Sequence, residues 1–98
     1  MNRDEIIARL RENEVALRKR GVAHAALFGS RARGDQRPTS DMDIMIEFDP
    51  AARVTVFDYA GLKDYIADLF DGQVDVVNCD GLKPYVKPAA TADAIYAF

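Results

Sequence analysis

The stretch "MDIMIEF", Met42–Phe48, alternates without a break: Met42, Ile44, Ile46 and Phe48 are apolar, and Asp43 and Glu47 stand between them. Successive side chains of a strand point to opposite faces, so this pattern reads as a strand with one face in a core. Asp43, Met45 and Glu47 take the other face, and Asp41 belongs with them. Asp49-Pro50 ends the strand. The chain must therefore build a sheet whose second face carries carboxylates.

The remaining elements follow from similar patterns. "VAHAALF", Val22–Phe28, is short, apolar and bounded by glycines, and reads as a buried strand. "QVDVVN", Gln73–Asn78, reads as a third strand, with Val74 and Val76 on one face and Asp75 on the other beside Val77. Asn2 followed by Glu5 has the form of a capping box, and Ile6, Leu10 and Leu17 share one helical face beside Ile7. The spacing predicts one helix from Arg3 to Arg20, stopped by Gly21. Leu62, Tyr65, Ile66, Leu69 and Phe70 predict a second helix, stopped at Asp71-Gly72. Ser30–Arg33 is long enough for a helical turn closed by Gly34. Pro84 and Pro88 interrupt the segment after the third strand, and "PAATADAIYAF" reads as a terminal helix ending in Ile95, Tyr96 and Phe98. The expected order is α-β-α(short)-β-α-β-α. This is a mixed α/β (α+β) fold, with a small mixed sheet flanked by helices.

At 98 residues the chain makes one domain, expected to span 1–98, with room for only a small core. The formal net charge of −3 argues against nonspecific affinity for nucleic acid or an anionic membrane, since both need a positive excess. Any basic function must be local. Cys79 is the single cysteine, so no intrachain disulfide forms. The opening "MNRDEIIARL" lacks the apolar core of a signal peptide, and no stretch approaches a membrane span. A soluble, cytoplasmic protein is expected.

The chemistry gathers on the acids. Residues two apart on a strand share a face at roughly 6.5–7 Å, so Asp41 and Asp43 project in parallel. Mg²⁺ takes oxygen ligands in a near-octahedral array, and two converging carboxylates meet that need. If the strand of Asp75 pairs beside Met42–Phe48, Asp75 joins them from roughly 5 Å across the ladder. Three carboxylates there suit a pair of ions about 3.5–4 Å apart. Asp-x-Asp alone is common on solvated strands and turns, and "QVDVV" alone is an edge strand with its polar face out. The combination is more specific.

Gly29 follows a buried strand, and Ser30 opens the short helical turn. Glycine lets backbone approach a ligand, and N–H groups at a helix start attract phosphate. Arg31 and Arg33 can bring charge to phosphate oxygens. A tight turn with a serine cap and solvated arginines would look the same. Ten residues separate Ser30 from Asp41, giving G-S-x10-D-x-D. With that spacing, "LFGSRARGDQRPTSDMDIMIEF" resembles the signature of the nucleotidyltransferase superfamily related to DNA polymerase beta. It is most similar to the minimal nucleotidyltransferases of prokaryotes, in their short MntA-like antitoxin branch. The likeness is strong over Leu27–Phe48 and moderate over Val74–Val77.

The resemblance implies a nucleotidyltransferase fold in which Gly29 and Ser30 bind the triphosphate of ATP. Arg33, with Arg31 near it, would contact phosphate. Asp41 and Asp43 would bind both of two Mg²⁺ ions, and Asp75 would complete the site and help activate the acceptor. The reaction implied is transfer of AMP from ATP to a hydroxyl, with release of pyrophosphate. Family members of this kind are commonly paired with a HEPN-domain ribonuclease toxin, which they neutralise by adenylylation of a tyrosine. The alternatives are neutralisation by binding alone, with "AIYAF" as a docking surface, and modification of a small molecule. Homo-oligomer and hetero-complex are both left open, as are the base and the acceptor. His24 has no Cys or His companion at ligand spacing, so a structural role is expected of it. Glu47 reads as a rim charge.

Overall fold

The computed structural model describes residues 2–34, 41–79 and 92–98. Its elements run α1 (Arg3–Glu12), α2 (Glu14–Lys19), β1 (Val22–Phe28), α3 (Ser30–Arg33), β2 (Met42–Phe48), α4 (Val56–Asp68), β3 (Val74–Asn78) and β4 (Ile95–Tyr96). The four strands form one sheet in the order β3-β2-β1-β4. β1 is antiparallel to β2 and to β4, whereas β2 and β3 are parallel. Parallel neighbours need a crossover, and α4 lies on the connection that supplies it. The mixed α/β class and the three predicted strands are as the sequence indicates.

The alternation in β2 does what it predicts. Met42, Ile44 and Ile46 lie in the main core, with Phe48 packed against it. Ile6, Ile7 and Leu10 of α1, Leu17 of α2, and Leu62 and Ile66 of α4 meet them there with Ala25, Leu27 and Val76 of the sheet. Ala26, Met45 and Cys79 form a smaller cluster on the opposite face, joined by Phe28, Val77 and Ala94. β1 departs from simple alternation. Its pairing with β2 shifts register between Val22 and His24, which lets Val22 and Ala25 both face the main core. His24 is left exposed, with Nδ1 3.3 Å from the Phe98 carbonyl oxygen and its ring edge-on to Tyr96.

Two expectations are corrected. The single helix over Arg3–Arg20 is broken at Asn13, which bonds outside the helical ladder. Its amide nitrogen donates to the Arg9 carbonyl at 2.9 Å, and its side-chain oxygen accepts from the Tyr65 hydroxyl at 2.8 Å. Short polar side chains compete with the helix in this way. The start of that helix is as read, with the Asn2 side chain accepting from the Glu5 N–H at 2.8 Å.

The second correction concerns the C-terminal segment. Ile95–Tyr96 is a strand, not the end of a helix. Ala26 pairs with Tyr96 and Leu27 with Ile95, and the Ala97 N–H donates to the Ala25 carbonyl at 2.8 Å. The exposed edge of β1 offers hydrogen-bond partners that a terminal helix would leave unused. The start of the predicted helix, residues 88–91, lies outside the described residues, as does Pro84. Among the described residues no helix is long and apolar enough to cross a membrane.

Candidate active site

The three predicted acids, Gly29 and Arg33 lie toward one end of the sheet. Phe28, the last residue of β1, is the register partner of Asp43, and Asp43 is in turn the partner of Asp75 on β3. Asp41 lies just before β2, exposed, and Asp75 is exposed on its strand, while Asp43 is half-buried between them. The register that puts Val76 and Ile44 in the core is what sends Asp75 and Asp43 to the other face.

Burial pushes the Asp43 carboxyl above its ordinary value, and the charges of Asp75 and Asp41 add to the rise; Arg33 pulls the other way. The three acids thus share one electrostatic field. The donor set suits a hard divalent cation: carboxylate oxygens only, with no nitrogen or sulfur ligand. As the side chains stand, no group of three acidic, histidine or cysteine side chains among the described residues closes on one point. The register places Asp43 beside Asp75, and Asp41 lies two residues before Asp43.

The glycine turn is built against this cluster. Gly29 has φ +75°, a left-handed conformation that favours glycine. A Cβ there would also run into the Asp43 carboxylate. The turn leads into α3, whose Arg33 N–H donates to the Gly29 carbonyl at 3.1 Å. The side chains of Ser30 and Arg31 lie outside what the structure describes, as does the loop from 35 to 40.

Two supporting residues had no signal in the sequence. Arg3 of α1 donates from Nη1 to the Ala32 carbonyl at 3.2 Å, bracing α3. Asp93 accepts from Arg33 through Oδ2 at 2.9 Å. The segment that carries Asp93 is held by β4 and by Arg11, whose Nε donates to the Ala97 carbonyl at 2.9 Å. Arg33 therefore sits between the C-terminal segment and the field of the carboxylates. Asp93→Ala is expected to lower stability by up to about 1 kcal/mol, the ceiling for a partly exposed pair. The same change in an Arg33→Ala background is expected to have no further effect, since the pair is already broken. Urea denaturation of the four proteins checks this.

A strand–glycine turn–helix unit thus stands beside in-register strand acids. Residues 5–97 match the model of the nucleotidyltransferase domain family, so the chain belongs to that family and is a nucleotidyltransferase. A protein of Methanocaldococcus jannaschii, provisionally named a protein adenylyltransferase, is 38% identical over 94 residues, covering 94% of each chain. A solved structure provisionally named a minimal nucleotidyltransferase superposes with a TM-score of 0.77 at 33% identity, covering 97% of this chain and 95% of the other. The fold is also shared, at a TM-score of 0.61 and 19% identity, with a chain from the complex of a tri-AMPylated Shewanella oneidensis HEPN toxin and an MNT antitoxin. That match covers 91% of this chain and 70% of the other.

Proposed function

We propose that this nucleotidyltransferase transfers AMP from ATP to a tyrosine hydroxyl of a HEPN-type toxin and so acts as its antitoxin. The observation that carries the reading is the pairing of Asp43 with Asp75 across the β2–β3 ladder, beside the Gly29 turn. Support for adenylyl transfer comes from the M. jannaschii relative, and support for the partner from the fold shared with a toxin-bound antitoxin.

In this reading the Gly29–Ser30 turn holds the triphosphate tail, and Arg33 exchanges Asp93 for a phosphate oxygen. Asp41 and Asp43 hold the divalent ions. When bound, those ions neutralise charge on the phosphates and on the leaving group. The acceptor oxygen bonds to the α-phosphorus as the bond from that phosphorus to the bridging oxygen breaks. Pyrophosphate leaves, and the hydroxyl proton passes to Asp75. Asp41 and Asp75 are exposed, so the acceptor reaches them from outside, on the surface of the partner.

The test is to incubate the protein and the toxin with Mg²⁺ and each of ATP, GTP, CTP and UTP labelled on the α-phosphate. Label from ATP on a toxin tyrosine, located by mass spectrometry, is the expected result. Label from another nucleotide, or none on the toxin, overturns the assignment.

A further inference from the structure

A second feature lies at the far end of the sheet. An open cleft of about 710 Å³ is lined by Arg18, Lys19, Arg20, Arg53, Asp49 and Asp58, among others. It touches none of Asp41, Asp43 and Asp75. Val22, at the start of β1, lines the cleft, while Phe28 at the strand's other end pairs with Asp43. The length of β1, roughly 20 Å, separates the two places.

The cleft carries a local excess of positive charge. Four cations face two carboxylates there, in a chain whose net charge is −3. Arg18 is paired with Glu14 at 2.7 Å, and Arg20 lies over the Tyr65 ring. Lys19 and Arg53 have no ion-pair partner among the described residues. Beside this charge the chain exposes apolar side chains. Val56 and Phe57, which lie in sequence between Val54 and Asp58 of the cleft wall, are 83% and 87% exposed. Val15, on the helix face of Lys19, is 69% exposed. These are three of the four large apolar side chains exposed among the described residues.

The backbone at Phe57 is also fixed. Thr55 and Asp58 form a reciprocal capping box: the Asp58 N–H donates to Thr55 Oγ1 at 3.1 Å, and the Thr55 N–H to Asp58 Oδ2 at 3.0 Å. The first turn of α4 is thereby fixed, so the backbone that carries Phe57 needs no further ordering on binding. An exposed aromatic side chain next in sequence to a cationic cleft offers a partner both apolar contact and charge.

We infer that this cleft docks an acidic segment of the partner protein, one that also supplies apolar side chains to cover Val56 and Phe57. The inference rests on the toxin-partner reading above. It adds that the partner is held at two places, by its acceptor hydroxyl at the carboxylates and by this segment about 20 Å away. A small enzyme with a shallow acceptor site gains affinity from such a remote contact without altering the chemistry.

The test uses the full chain with the toxin as probe, in Phe57→Ala and in the double variant Lys19→Glu/Arg53→Glu. All three side chains are exposed, so both variants are expected to keep the wild-type circular dichroism and affinity for Mg·AMP-PNP. The dissociation constant for the toxin, by calorimetry, is expected to rise by about 30-fold in Phe57→Ala. In the double variant, binding is expected to weaken and to lose much of its salt dependence. Wild-type affinity in both variants overturns the docking site and leaves the transferase reading standing. So does a wild-type protein that self-associates through Phe57, a second copy then being the occupant. A wild-type protein that does not bind the toxin at all overturns the docking site and the partner together.

Discussion

Asp43→Asn is expected to cut AMP transfer by roughly 10²- to 10³-fold, because in the proposed reaction several kcal/mol of charge stabilisation at the phosphate would depend on ions that Asp43 helps to hold. Asp43 is the central acid of the three. It pairs with Asp75 across the ladder, feels Asp41 two residues away, and is the half-buried member of the group. The same change is expected to stabilise the metal-free protein at neutral pH. A carboxyl whose pKa rises on folding contributes its full stability only below its ordinary value. That contribution is lost as the pH rises through the higher value of the folded state. Above that pH the ionised Asp43 weighs against the fold, and asparagine removes the charge. The melting temperature of the variant in EDTA should therefore exceed that of the wild type at pH 7, with the gap closing as the pH falls toward 4, near the ordinary carboxylate value. Mg²⁺ with AMP-PNP should raise the wild-type melting temperature and leave the variant's nearly unmoved. Undiminished transfer by the variant would remove Asp43 from the site, and a lower melting temperature at pH 7 would contradict the cost assigned to its charge.

The acids were legible in the sequence because their placement is a local property. Strand periodicity alone sends Asp43 and Asp75 away from a core built by Ile44 and Val76, and the structure has both pairs as register partners. What periodicity could not supply was the outcome of contacts between distant segments. Asn13 ends α1 through a hydrogen bond with Tyr65, a residue 52 positions on. "AIYAF" is too short for its period to separate helix from strand, and the exposed edge of β1 decides for strand. Asp93 reads as one more surface acid until β4 is in place, when it reaches Arg33 from 60 positions away. Arg33 itself was placed in the site by family likeness, whereas its partner had no motif to announce it. The capping box of Thr55 and Asp58 lies in plain sequence order, yet its consequence for Phe57 needs the exposure that only the structure gives.

Gly29→Ala is expected to cost more than any other glycine substitution at a left-handed position with open space, and two causes can be separated. The first is backbone strain. At φ +75° an alanine is held in a region L-residues rarely adopt, at a cost of about 1–2 kcal/mol. The second is collision, because the added Cβ falls on the Asp43 carboxylate. Gly72 isolates the first. Its φ is +93°, and a Cβ there meets nothing within 4 Å, so Gly72→Ala carries strain alone. Urea denaturation should thus show Gly29→Ala losing more stability than Gly72→Ala, and the excess should vanish when both are compared in an Asp43→Gly background. That background removes the carboxylate with which the methyl group collides. The cycle reads packing without reference to activity, so it tests the geometry of the turn even if the transferred group is not AMP. Transfer should also fall in Gly29→Ala, because a displaced Asp43 leaves its register partner Asp75 without its neighbour at the reacting centre. Equal losses at Gly29 and Gly72 in the wild-type background would mean that the turn and the acid are neighbours without being fitted to each other.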